Sequence, residues 1–385
     1  MFQVALVLGT VLVMASGFEP DLTVRFAAFN IWTLGADKLN QVDADGHGTN
    51  RQLRNAAEII QRVRPDVLLV NEIDFDVEQR KNAAAFRDRY LKVGQAGQEP
   101  IDYPHIFFAP VNTGVPTGHD LDNDGASDGP ADAFGYGRYP GQYGMALYSK
   151  YPIETQAART FQKLLWKAMP KNLMPDGQHG KPAWYSAEEV AILRLSSKSH
   201  WDVPIRIGDT VVHVLASHPT PPVFDGPEDA NGRRNFDEIR LWANYLTGGG
   251  AAAYIEDDQG RKGGLPHDAS FVILGDLNAD PAKDKPTYGQ LPIAQLLKHP
   301  RVQDPTPKSD GAAAHFASYP DDKATPTSNF GRVDYALPSK DLTVKGSGVF
   351  WPAAGDPLSK LVADRQSSSD HRLVWVDVVA IRSLR

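Results

Sequence analysis

Ser270-Phe-Val-Ile-Leu-Gly-Asp-Leu-Asn278 opens as a continuous apolar run and closes on a carboxylate and an amide two residues apart. A short apolar run bounded by turn residues predicts a strand buried on both faces. On an extended strand Asp276 and Asn278 project to the same side. A carboxylate and an amide so placed can position a water and hold a phosphoryl oxygen. The pattern recurs in Asp66-Val-Leu-Leu-Val-Asn-Glu72, Thr210 to His218, Gly331 to Leu337 and Arg372 to Val379, and the strand Thr23 to Ile31 carries Asn30 near its end. Each apolar run meets a polar residue with possible chemistry.

Between the strands lie helical patterns. After the capping residues Thr49 or Asn50, apolar Leu53, Ala57, Ile60 and Val63 follow helical spacing until Arg64-Pro65 stops it. Between Asp225 and Leu246, Phe236, Ile239, Ala243 and Leu246 share one face and leave Arg233, Arg234, Asp237 and Glu238 for the others. Strands alternating with helices and hairpin-like turns predict an α+β sandwich.

At 385 residues the chain is read as a single elaborated domain over 21–385, with insertions near 112–141 and 160–201. Residues 1–20 resemble an export signal: an apolar stretch from Val4 to Met14, then Ala15-Ser-Gly17, too short to span a membrane comfortably. No Lys or Arg precedes Arg25, and a buried first strand is the competing reading. The expectation is a secreted or periplasmic monomer. Forty Lys and Arg against 47 Asp and Glu give a formal charge of -7, with no basic run to track a phosphate backbone. Cysteine is absent, which excludes disulfides, thiolate metal sites and cysteine nucleophiles and leaves oxygen and imidazole chemistry.

Two polar segments near the C-terminus extend the constellation. Ser368-Ser-Asp-His places His371 just before an apolar strand, and Gly331-Arg-Val-Asp-Tyr places Asp334 among apolar neighbours. An unpaired carboxylate there is costly to bury, and an Asp–His pair removes that cost. Asp334 would set the imidazole tautomer, leaving His371 as a general base or a proton-holding electrophile. His213, His267 and His315 are read as structural. A second oxygen site is suggested by Asp120-Leu-Asp-Asn-Asp-Gly with Asp128, so that Asp120, Asp122, Asp124 and Asp128 follow a calcium loop. Its twelfth position is Ala131, Asp132 comes one step late, and a merely acidic turn competes with calcium. Ser196-Ser-Lys-Ser-His-Trp-Asp and Arg233-Arg234 are assigned to substrate binding, with His200, Trp201, Arg233 and Arg234 as the candidates; packing or surface ion pairing is the bland alternative.

Taken together, Asn30 in Phe29-Asn-Ile, Glu72 in Val70-Asn-Glu, Gly275-Asp-Leu-Asn, Asp334-Tyr335 and Ser369-Asp-His371 stand in the order of the motifs of the endonuclease/exonuclease/phosphatase superfamily, which the chain resembles from about Arg25 to Val378. The resemblance implies a four-layer α/β/β/α sandwich of two packed mixed β-sheets flanked by helices. It implies that Asn30 and Glu72 bind a catalytic Mg²⁺ or Mn²⁺, with Asp370 contributing through water. It also implies that His218 in Ser217-His-Pro donates to the phosphoryl group, that Asp276 orients the attacking water, that Asn278 steadies the transition state, and that His371 with Asp334 completes the base. The expected activity is hydrolysis of small or medium phosphate esters. The rivals are an extracellular nuclease and a catalytically silent, calcium-stabilised binding module.

Overall fold

A computed structural model describes residues 22–381 other than Gln79 and His179, so the expected export segment 1–20 lies outside the described residues. In chain order the strands are β1 (Leu22–Leu34), β2 (Val67–Ile73), β3 (His105–Phe107), β4 (Met145–Ser149), β5 (Arg159–Thr160), β6 (His200–Ile207), β7 (Thr210–Ser217), β8 (Ser270–Asp276), β9 (Asp334–Pro338), β10 (Thr343–Val349) and β11 (Val374–Ile381). They form a six-stranded sheet in the order β10-β11-β1-β2-β4-β3 and a five-stranded sheet in the order β5-β6-β7-β8-β9. Each sheet is mixed: β1 runs parallel to β2, and β7 parallel to β8, while the remaining pairs are antiparallel. The sheets meet through β1 and β2 against β8, and through β1 and β11 against β9. With helices flanking them, this is the expected α+β sandwich.

The apolar run of β8 shows why the layers stack. Val272 and Leu274 enter the core between the sheets, beside Phe26, Ala28 and Val376. Phe271 and Ile273, one residue out of phase, belong to a second core with Ile239, Trp242 and Tyr245 of the helix Ala230–Thr247. A strand sandwiched in this way has no polar face, which is why its sequence does not alternate. Gly275 follows from the same closeness: a Cβ there would stand 2.0 Å from the Ser217 carbonyl oxygen on β7.

The helix Arg51–Val63 starts where the Asn50 side chain accepts a hydrogen bond from Leu53 N at 3.2 Å, and stops at Arg64, whose φ of 57° is left-handed before Pro65. On the helix Ala230–Thr247, Asp237 and Glu238 lie off the apolar face and are nonetheless fully buried, because the segment 160–201 packs over them. Asp237 accepts from Trp166 Nε1 at 2.7 Å and Leu173 N at 2.6 Å, and Glu238 accepts from Ser197 N and Thr220 N, both at 2.7 Å. That segment is also less of an insertion than its composition suggests. Thr160 belongs to β5, and His200 and Trp201 open β6, where Trp201 pairs with Ala216 of β7.

Candidate active site

The chemistry-bearing residues converge where strand ends of both sheets come together. Asn30 lies on β1, Glu72 near the end of β2, His218 just after β7, Asp276 at the end of β8, Asp334 at the start of β9 and His371 in the approach to β11. Asp276 pairs in register with Asp334. The helix Ala230–Thr247 braces this edge: Trp242 Nε1 donates to Ser217 Oγ at 3.0 Å, and Asn235 Nδ2 donates to Thr220 O at 2.8 Å and Leu277 O at 3.1 Å.

Asp276 is the centre of the constellation. Its Oδ2 stands 3.4 Å from His218 Nε2 and 3.7 Å from His371 Nε2, and accepts from Asn30 Nδ2 at 3.1 Å. His371 Nδ1 lies 3.0 Å from Asp334 Oδ2, which also accepts from Thr327 Oγ1 at 2.8 Å. All six groups are buried. Burial opposes the charge of His371, but Asp334 and Asp276 outweigh it and push its pKa up to about 10. Burial likewise opposes the Asp276 carboxylate, yet the two histidines hold it well below the usual carboxylate range. Burial and the nearby Lys198 depress the pKa of His218, against the pull of Asp276. The balance of burial and charge thus favours the ionised form of Asp276 and the protonated form of His371, and makes His218 the less basic of the two imidazoles.

Asn278 reaches the site by a different route from the one the extended pattern implies. The strand ends at Asp276, and Asn278 has φ 50°, so the two residues meet through a tight turn in which Asn278 N donates to Asp276 Oδ1 at 3.0 Å. The asparagine amide tolerates the left-handed region better than most side chains. Its Nδ2 donates to Pro219 O at 3.0 Å, tying the turn to the residue after His218.

On the other side of Asp276, Glu72 adopts φ 64°, an uncommon conformation for a glutamate, at a strand end. Its Oε1 accepts from Asn30 Nδ2 at 3.1 Å and its Oε2 from Thr33 N at 3.1 Å. Asn30 Oδ1 is buried and has no hydrogen-bond partner. Buried polar atoms are rarely left so. An orphan amide oxygen beside a carboxylate fits a hard divalent cation, for which an all-oxygen set is the usual choice. Asp370 is buried with its Oδ2 held by Arg365, Nε at 2.9 Å, and Arg365 in turn lies 5.1 Å over the Trp32 ring.

The candidate substrate-binding residues need correction. His200 and Trp201 are fully buried. The His200 ring is held between Ser196 Oγ at 2.6 Å and Glu238 O at 2.9 Å, and Trp201 packs edge-on to Phe107 in the core. As strand residues they are sealed by neighbours on both faces, so neither is available to a ligand. Arg234 donates to the carbonyls of Leu195, Phe134 and Arg194, clamping the two inserted segments together. Arg233 donates to Glu228 O at 3.0 Å and lies over the Tyr288 ring. Packing accounts for His200, Trp201 and Arg234, while Arg233 is half-buried with only its Nε engaged in a hydrogen bond. The acidic loop is also corrected in membership: Asp120, Asp122 and Asp132 present carboxylate oxygens within 4.8 Å of one another, whereas Asp124 and Asp128 are outside that group. Asp132 joins because a short helical turn at Pro130–Asp132 swings it back onto Leu121 N, at 2.8 Å.

The profile of the endonuclease/exonuclease/phosphatase family matches residues 27–371. The chain belongs to that family. Members are in general metal-dependent hydrolases of phosphoesters. Among solved structures, an endonuclease/exonuclease/phosphatase from Beutenbergia cavernae DSM 12333 is 16% identical over 94% of this chain and 72% of its own, with a TM-score of 0.52, a likeness of fold. A sphingomyelinase C from Streptomyces griseocarneus also matches, at 14% identity over 92% of this chain and 99% of its own, with a TM-score of 0.46. No curated protein matches the sequence.

Sequence reasoning passed over three residues of the site. Lys198 stood inside a segment assigned to substrate, but attention fell on its aromatic neighbours. Asn71, whose Oδ1 accepts from Asp276 N at 3.4 Å, read only as the residue before Glu72. Thr327 carried no signal, since its hydroxyl reaches Asp334 across a turn.

Proposed function

We propose that this family member is a divalent-metal-dependent phosphoesterase that hydrolyses small or medium phosphate esters by attack of water. The observation that carries the reading is the buried Asp276 carboxylate, held between His218 and His371, one hydrogen bond from an Asn30 whose other amide atom is orphaned beside Glu72. Ionised Asp276, held far below the ordinary carboxylate range, is suited to orient the attacking water as a hydrogen-bond acceptor. His371, kept protonated by Asp334, is suited to hold a phosphoryl oxygen as a donor rather than to act as the base, and His218 is suited to donate beside it. The Asn278 amide stands ready at the same edge. Asn30 and Glu72 would hold Mg²⁺ or Mn²⁺, which when bound supplies positive charge against the anionic transition state.

Preference for a small ester over a duplex is supported by the formal charge of -7 and by the internal engagement of Arg234. It is supported too by the return of the first inserted segment to the metal end of the site. There the Tyr139 hydroxyl donates to Asp74 at 2.6 Å, two residues beyond Glu72. The test is a panel of mono- and diesters and double-stranded DNA, assayed at one salt concentration with saturating Mg²⁺ or Mn²⁺. A small ester is expected to show the higher kcat/KM. Rapid DNA cleavage with negligible turnover of every small ester would promote the nuclease reading instead.

The proposal includes a calcium ion in the acidic loop, supported by the grouped oxygens of Asp120, Asp122 and Asp132. Like charges so close repel one another without a cation. Calcium is then expected to raise the melting temperature by binding the native state, and Asp120→Asn with Asp122→Asn should erase the gain. An undiminished calcium response in the double variant would place the ion elsewhere.

A further inference from the structure

Lys198 is a buried cation that the chemistry above leaves without a task. It sits just ahead of β6, only 6% exposed, and its Nζ makes a single long hydrogen bond, 3.5 Å to Pro219 O. That carbonyl is the one that accepts from Asn278 Nδ2. The ammonium and the Asn278 amide therefore share an anchor on the residue that follows His218. An ammonium has three donors, and two here have no partner among the described residues.

The neighbouring carboxylate does not answer that need. Glu238 is occupied by the N–H groups of Ser197 and Thr220 and by the Ser197 hydroxyl, and forms no ion pair with Lys198. Burial depresses the Lys198 pKa, while Glu238, Glu72 and Asp276 act on it only through space. A second unfilled atom lies close by: His218 Nδ1 is buried with no hydrogen-bond partner. A buried charge normally finds a partner. Here an unpaired cation, an amide and an imidazole gather around Pro219 beside Asp276, and what would complete them is a tetrahedral oxyanion.

We propose that Lys198 is a catalytic residue that contacts a non-bridging phosphoryl oxygen of the substrate, beside Asn278 and His218. The inference rests on the phosphoesterase reading for its substrate, but its anion contact can be tested apart from turnover. It also gives the substrate a definite character: an ester that still carries an ionised phosphoryl oxygen, a monoester or diester rather than a neutral triester.

The experiment uses the full chain with saturating Mn²⁺ and two variants, Lys198→Met and Lys198→Gln. Inorganic phosphate binding is measured by calorimetry, kcat and KM on the best ester of the panel, and folding by the melting temperature. Both variants are expected to fold, since removing an unpaired buried charge is often tolerated. Lys198→Met should weaken phosphate binding at least ~10-fold and lower kcat/KM by about 10²-fold, the scale of one lost oxyanion donor, with Lys198→Gln intermediate. If only the glutamine variant folds, it decides the matter by the same readouts. Wild-type phosphate affinity in a folded variant overturns the proposal while leaving the phosphoesterase reading intact. Conversely, a wild-type protein that cleaves no ester, yet binds phosphate in a Lys198-dependent way, sustains the anion contact and removes the phosphoesterase reading.

Discussion

Asp276→Ala and His371→Ala should each lower turnover of the best ester by at least ~10²-fold, the scale of a lost acid–base or orienting group, with cooperative melting preserved. The expectation follows from position: Asp276 Oδ2 lies 3.4 and 3.7 Å from the two imidazoles, and His371 is the only one of the two backed by a second carboxylate. Loss of Asp334 should be different in kind. Asp334→Ala leaves the His371 imidazolium with a weakened partnership inside the protein, and is expected to cost about 3–5 kcal/mol of stability, as for other broken buried pairs, as well as activity. Near wild-type turnover in folded Asp276→Ala or His371→Ala would remove the mechanism.

The pH dependence follows from the same pair with its sign explicit. The pKa of His371 is raised above its ordinary 6.5 to about 10. Its proton is therefore retained through neutral pH, and kcat/KM at fixed metal saturation should show no rise attributable to His371 deprotonation near 6.5. It should fall as pH climbs toward about 10, where the proton is lost. For stability the raised pKa contributes most below the unfolded-state value, and the contribution disappears as pH rises through the folded one. A rate that rises through the ordinary histidine range in wild type but not in His371→Asn would make the imidazole a base instead.

Stripping the protein with a chelator should abolish hydrolysis, and Mg²⁺ or Mn²⁺ should restore it. Glu72→Gln should raise the cation concentration needed for half-activity by about 10- to 100-fold, the range seen when a group that supports a metal is lost. A readout free of turnover accompanies it: added Mg²⁺ should raise the melting temperature of wild type and do so less for Glu72→Gln and Asn30→Ala. The reason lies in the orphaned Asn30 Oδ1 and in the strained φ of Glu72, both of which the surrounding strands enforce. Full activity of the metal-free protein would sink this expectation.

Much of the protein was legible in one dimension because its central strands, such as β2 and β8, are buried on both sides. Runs such as Phe271 to Leu274 and Val67 to Val70 must be apolar throughout, so their polar ends stand out, and those ends are where Glu72 and Asp276 lie. A carboxylate such as Asp334 set among apolar neighbours announces a partner, because a lone buried charge is too costly. The order of the motifs therefore determined the family and the α+β sandwich, and a list of residues with chemistry.

Which of those residues could meet a ligand was decided only by the tertiary structure. His200 and Trp201 look as reactive as His218 in sequence, but neighbours far along the chain close over them on both faces of β6. Asp237 and Glu238 lie off the apolar face of their helix, yet a distant segment donates hydrogen bonds to them and they are buried. Asn278 faces the site through a left-handed turn that no alternation of side chains encodes, and Asp132 rather than Asp128 joins the acidic group because the chain doubles back by a turn. Burial and hydrogen-bond partnership are properties of what surrounds a residue in space. Sequence carries them only where one element must be apolar on every side, and that condition holds for central strands such as β2 and β8 but fails for the helix faces and loops that complete the site.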